Sequence, residues 1–471
     1  MLFNTIDFVL FLPFVIILYY MIPHKYRWVM LLAASYYFYM SWKVEYVFLI
    51  VFSTLIDYIS GIQMAKLPDK KSRRPWLILS LLTNLGLLFA FKYFNFVGAN
   101  VNLLFQKFNI FHEVPLMNVL LPVGISFYTF QTLSYSIDVF YGRQKAEKHL
   151  GYFALYVSFF PQLVAGPIER FSRLTPQLKE KHNFSYTNLA YGLRLILYGL
   201  FIKMVIADNL SGIVDQVYTA PEKFASSDIL TALIFYSFQI YSDFYGYSII
   251  AIGSALIMGI RIMDNFKTPY LAKNISEFWQ RWHISLSTWF RDYLYFPLGG
   301  NRVAKQRWIL NILAVFVISG FWHGANWTFI IWGALFGFIY LIEYILNKSF
   351  SLSKEYKAYS FGHLFLAFKT FVLVTLIWVF FRSQSFDEAI NIFVLLFTPD
   401  RMPSAILDIP LSTWIFLIIF IVSDILLYNT RFDTWIGKFP MVFRWTMYSI
   451  LIFSIIVFAG VENFPFIYFQ F

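Results

Sequence analysis

The sequence predicts an all-α, polytopic membrane protein, and three features predict it. Of 471 residues, 59% are hydrophobic and 13% charged, where a soluble chain carries about 25% charged residues. Long apolar runs recur from Leu2 to Phe471, and about 20 such residues span a bilayer as a helix. Lysines and arginines gather in the short stretches between those runs, as cytoplasmic loops require.

Taken in order, apolar segments lie near 6–22, 28–42, 44–62, 76–92, 94–108, 116–140 and 151–166. Others lie near 186–206, 228–260, 309–346, 363–381, 411–428 and 442–460. At the 20-residue requirement this gives roughly 11 to 13 membrane-embedded helices. The first run is preceded by Asn4 and Asp7 rather than basic residues, so it reads as a retained helix, not a cleaved signal. No repeat, low-complexity tract or soluble domain interrupts the chain, which reads as a single membrane domain over 1–471.

The basic clusters set the expected topology. They are Lys25 and Arg27; Lys66, Lys70, Lys71, Arg73 and Arg74; Arg143, Lys145 and Lys148; and Arg170, Arg173, Lys179 and Lys181. Further along come Arg302, Lys305 and Arg307; Lys348, Lys354 and Lys357; and Arg431, Lys438 and Arg444. All are expected in the cytoplasm. The opposite loops hold Asp208, Asp215 and Glu222, then Asp387, Glu388, Asp400 and Asp408. Both ends of 309–346 meet basic loops, so that stretch is expected to enter and leave on one side as a hairpin. The last span starts at Arg444 inside, which sends the aromatic tail 464–471 outside. The net charge of +11 is thereby a topology signal, not a nucleic-acid footprint. With no cysteine, disulfides and a cysteine nucleophile are excluded.

Polar groups at membrane depth are costly, so each is a candidate for function. His323 stands in Ser319–Trp327, at the tip of the expected hairpin, between Gly320 and Gly324 and close to Trp322 and Asn326. An imidazole there can take a proton from a hydroxyl near neutral pH; the alternative is a buried histidine that merely bonds a carbonyl. His283 lies in Glu277–Ser287, a stretch with Arg281, Arg291 and Asp292 that is too polar to span and suits an interfacial or internally packed helix. Within 228–260, Gln239, Tyr241, Ser242, Asp243, Tyr245, Tyr247 and Ser248 form a polar constellation. Asp243 there needs a partner such as an arginine, in a structural or a catalytic role. Pro161–Phe171, with two prolines and a glycine, breaks a helix. A phosphate-binding glycine loop, HExxH, a metal-spaced cluster and a serine elbow are all absent, so no metal is expected.

The segments Trp279–Ser287, Arg291–Gly300 and Gly320–Gly324 resemble the membrane-bound O-acyltransferase (MBOAT) family. So do Leu121–Tyr128, Pro161–Phe171 and Asn265–Tyr270, which match its bacterial branch, the one that includes the alginate O-acetyltransferase membrane subunit and the teichoic acid D-alanyl transfer protein. The resemblance runs over nearly the whole chain. It implies a ring of tilted helices around a thin central tunnel, His323 as catalytic base and His283 as the second signature histidine, with Asp243, Arg281, Trp322, Asn326 and Tyr241 as tunnel or supporting residues. It further implies a multi-pass protein of the bacterial cytoplasmic membrane. A thioester donor, acetyl-CoA or a phosphopantetheine carrier protein, would approach from the cytoplasm, with no cofactor tightly bound. The acyl group, expected to be acetyl, would pass to an extracytoplasmic acyltransferase partner that esterifies a cell-surface polysaccharide. The ending Phe464–Phe471 is similar to the aromatic tail of a small companion protein of the teichoic acid system, which makes Tyr468 a candidate acyl carrier; its alternative is an aromatic anchor at the outer interface. Two further readings stay open: a transporter or flippase of a lipid-linked glycan, and a catalytically silent scaffold.

Overall fold

The computed structural model describes residues 1–118, 120–164, 166–350, 357–398, 402–459 and 466–467. Its regular elements are helices throughout, with no strand among the described residues. Seven helices there are long and apolar enough to cross a membrane. The remaining apolar runs fold as shorter helices, among them Ile6–Met21 and Leu411–Leu426, or merge: 76–92 and 94–108 lie on one helical stretch, Lys70–Lys107. Several helix starts carry side-chain caps. Asp69 accepts from Ser72 N at 2.9 Å, Asn274 from Glu277 N at 2.8 Å and Ser385 from Glu388 N at 3.1 Å, each occupying an otherwise orphan amide of a first turn.

The chain divides into two compact units, Met1–Ala190 with Ser254–Met263, and Tyr191–Gly253 with Asp264–Phe471. The first unit is organised around a buried carboxylate. Asp57 of helix Val47–Lys66 accepts from Ser80 Oγ at 2.5 Å, Asn84 Nδ2 at 2.8 Å and Ser136 Oγ at 3.1 Å. Asn84 Oδ1 in turn accepts from Ser53 at 2.7 Å and Thr132 at 3.1 Å. Three helices, Val47–Lys66, Lys70–Leu88 and Ile125–Phe140, are thus joined by groups that would each be costly to leave unmatched in a dry interior. Pro161–Phe171 does interrupt the helix: Leu150–Ser158 ends before it, the short helix Phe160–Leu163 carries Pro161 in its first turn, and Phe171–Lys179 starts at its end.

The second unit holds the hairpin. Helix Lys305–His323 turns through Gly324, Ala325 and Asn326 into Trp327–Phe350. The arms touch through glycine: a Cβ on Gly320 would lie 2.2 Å from Phe329 O, and one on Gly333 would lie 2.2 Å from Phe316 O. Such backbone contact is how helices pack when lipid supplies no hydrophobic drive between them. Gly320 is inside the first arm, not a break in it, and the second arm contains a span of its own, Trp327–Asn347.

One topological expectation is corrected. Asp208 was expected in an outer loop. Instead Tyr186–Thr219 is a single 34-residue helical stretch with a π-helical turn at Ile202–Ala207, and Asp208 lies within it at 6% exposure. No proline separates residues 186 and 219, so nothing ends the helix before the carboxylate, and Lys203 neutralises it at 2.6 Å.

Candidate active site

His323 is the last residue of the hairpin's first arm. Asn326 starts the second arm: its Oδ1 accepts from Thr328 N at 3.1 Å, and its Nδ2 donates to Gln384 O at 2.6 Å. This side chain, expected near the tunnel, therefore locks the turn that presents His323. The imidazole is 3% exposed. Its walls are Trp322, Trp332 and Phe381, with ring centroids 4.9, 5.0 and 5.3 Å away. The indole N–H of Trp332 is buried without a hydrogen-bond partner among the described residues.

His283 joins two short helices, Ile275–Arg281 and Ile284–Phe290, at φ 44°. That left-handed conformation costs a non-glycine residue and persists where surroundings enforce it. Asn265 enforces it here: its main-chain O accepts from Ile284 N at 2.9 Å, and its Oδ1 accepts from Ser285 Oγ at 2.6 Å. The segment is internally packed, with His283 fully buried, and burial pushes its pKa down to about 3. It is neutral at physiological pH.

The two imidazoles lie 6.4 Å apart, centroid to centroid, and Trp322 touches both, 6.2 Å from His283. They do not stack.

Next to His283 a cavity of about 550 Å³ opens, lined by Ser248, Asn265, Lys267, Glu277, Arg281, Tyr428 and Arg431 among others. The imidazoles themselves are not among its lining residues. Arg281 belongs to this cavity: it pairs with Glu277 at 2.9 Å, donates to Tyr428 OH at 2.8 Å and lies over the Tyr428 ring. Arg431 pairs with Asp433 at 2.7 Å and Asp264 at 3.3 Å. Ser248 Oγ and Asn265 Nδ2 are buried with no hydrogen-bond partner among the described residues. Polar atoms of that kind mark a place where a ligand or water completes the bonding.

Asp243 has a cationic partner, Lys203 at 2.8 Å, not an arginine. Tyr241 donates to Asp424 at 2.7 Å. Phe244, the residue after Asp243, is the one that meets His283, at 4.7 Å edge to face. Tyr468 lies outside the described residues. Sequence reasoning missed Lys203, Asp424, Trp332 and Phe381, and placed Asn265 only within a family motif. For Lys203 and Asp424 a signal was present, a lone charge inside an apolar run. For Trp332 and Phe381 none was, because an aromatic residue among 22% aromatics does not stand out.

The MBOAT, membrane-bound O-acyltransferase family model matches residues 141–383, which contain both histidines. The chain is 39% identical over 390 residues to the probable alginate O-acetylase AlgI of Azotobacter vinelandii, covering 83% of this chain and 76% of that protein. To the peptidoglycan O-acetyltransferase of Helicobacter pylori it is 37% identical, over 77% of this chain and 72% of that one. The teichoic acid D-alanyltransferase of Bacillus subtilis is 33% identical over 46% of this chain and 58% of its own length. With the matched segment spanning the hairpin and the paired imidazoles, and relatives of this identity covering most of the chain, the chain belongs to the membrane-bound O-acyltransferase family.

Proposed function

We propose that this protein transfers an acyl group, acetyl being the one expected, from a cytoplasmic thioester to a hydroxyl, for O-acylation of a cell-surface polysaccharide. The observation that carries the proposal is the buried pair His323 and His283, 6.4 Å apart beside a polar cavity. Alginate, peptidoglycan and teichoic acid in the names of the relatives support a polymeric acceptor of the bacterial envelope. A donor such as acetyl-CoA or a phosphopantetheine carrier protein would occupy the cavity. Lys267, Arg281 and Arg431 there would attract its phosphates, and Ser248 and Asn265 would meet the amides of its pantetheine arm.

In the transfer, His323 takes the proton of the attacking hydroxyl. The oxygen adds to the thioester carbonyl, the C–S bond breaks, and the proton returns to the leaving thiolate. The Trp332 N–H is the candidate donor to the transient oxyanion. His283, neutral, orients the reacting group. The first attacking hydroxyl is assigned to Tyr468, whose aryl ester is a good leaving group because the phenol pKa is about 10. An extracytoplasmic partner would then move the acyl group to the polymer. This assignment also calls for the cytoplasmic membrane of a bacterium, with the basic loops inside and the C-terminus outside.

Mass spectrometry of the purified protein after incubation with acetyl-CoA tests the proposal. The expected result is a covalent acetyl group on Tyr468, absent from Tyr468→Phe. A flippase or a silent scaffold predicts no adduct and no release of CoA, and that result would remove the enzymatic reading.

A further inference from the structure

The unit that carries the two histidines also buries a charge cluster the transfer chemistry does not use. Lys203 Nζ lies 2.6 Å from Asp208 Oδ1 and 2.8 Å from Asp243 Oδ1, and its side chain is 1% exposed. Both pairs to the ammonium run through Oδ1, which leaves Asp243 Oδ2 for another donor: it accepts from the main-chain N–H of Ile467 at 2.7 Å. Such charge-assisted bonds are roughly twice as strong as neutral ones.

The segment is held from its other side by rings. Phe466 is fully buried and Ile467 is 3% exposed, although chain ends are ordinarily loose unless tied down. The Phe466 ring packs against Tyr247 at 4.6 Å and Phe244 at 5.6 Å. Phe244 in turn meets His283 at 4.7 Å. The Phe244 ring therefore bridges Phe466 and His283, and the residue after Ile467 is Tyr468.

We propose that the Lys203–Asp208–Asp243 triad is a dock for the C-terminal segment, with Asp243, Phe244 and Tyr247 as positioning residues that fasten Phe466 and Ile467 beside the histidine pair. Its relevance to acyl transfer rests on the proposed role of Tyr468, but the dock itself is a statement about binding. Lys203 pairs with the Asp243 carboxylate in a dry interior, and the carboxylate holds the main chain. The segment is seated through the main chain of Ile467 and the ring of Phe466.

The chain has no cysteine, so Ile467→Cys creates a single thiol reporter that keeps the main-chain N–H. In the full-length protein this thiol is expected to react with a small maleimide far more slowly than in denatured protein. Adding Asp243→Leu removes the acceptor and should raise the rate about tenfold or more. Asp243→Asn, whose amide oxygen still accepts, should leave it low. Phe466→Ala lies beyond the last helix and should raise the rate as Asp243→Leu does; it carries the test if Asp243→Leu fails to fold. A thiol as reactive in native as in denatured protein, or one unmoved by both Asp243→Leu and Phe466→Ala, overturns the dock. No acyl chemistry enters the readout. Protection that is lost in these variants supports the dock whatever Tyr468→Phe does to activity.

Discussion

Gly320→Ala adds one methyl group three residues before His323. Its Cβ would sit 2.2 Å from the main-chain oxygen of Phe329, where ordinary contact begins at 3.4 Å. The arms of the hairpin must then part by 3.4 − 2.2, or 1.2 Å, because the obstacle is backbone and cannot swing aside. Overpacking of this kind costs about 1–3 kcal/mol, which a helical membrane domain survives. The catalytic cost is larger, since a displacement of about 1 Å in a reacting group lowers rates about 10²-fold. The assay is CoA release from acetyl-CoA by purified protein, with thermal unfolding measured on the same preparation. Gly212→Ala is the control: nothing lies within 4 Å of its added Cβ, and alanine favours a helix over glycine by about 0.5–1 kcal/mol. A folded Gly320→Ala protein with the wild-type rate would refute the reasoning that close contact between the arms sets the position of His323.

Lys203→Met strips the shared cation from two buried carboxylates and should cost about 3–5 kcal/mol, read as a lower unfolding midpoint; an unchanged midpoint would show that the triad is not ionised as described. His283 makes a pH prediction. Its pKa is depressed by burial from 6.5 to about 3, so the stability tied to its neutral form is present above pH 6.5 and lost as the pH falls through about 3. Between pH 5 and 8 it does not change charge, so His283→Asn should slow the reaction without moving the acid limb of its pH–rate profile. A limb near the ordinary histidine pKa of about 6.5 that vanishes in His283→Asn would contradict that.

Much of this was legible in the sequence, for identifiable reasons. The hairpin around His323 follows from basic residues at both ends of one long apolar run, and the polar stretch around His283 from a charge content no span tolerates. The family likeness rests on long motifs in order. Asp243 was recognised as needing a cation, but Lys203 stands forty residues earlier in the chain, and helix periodicity carries no information about pairing between helices. Asp208 was misplaced because a carboxylate following an apolar run resembles the start of a loop; only the partner lysine, itself buried, explains why the helix continues. Of the cavity, the sequence reading anticipated Arg281 alone. Its lining comes from 245–252, 264–268, 277–281 and 427–431, stretches that share no motif, and includes Asn265, whose bonds to residues 284 and 285 no spacing reveals. Spacing along a chain reveals a site built from one hairpin, not one assembled from four separate stretches.

In the proposed transfer, His323 is the base that takes the proton of the hydroxyl attacking the thioester. Thioester cleavage by purified protein carrying His323→Ala, measured as thiol released from acetyl-CoA, tests this most directly. A loss of at least about 10²-fold relative to wild type is the expected result, in keeping with the removal of a general base, with the unfolding midpoint preserved. Cleavage at the wild-type rate by folded His323→Ala protein would contradict it.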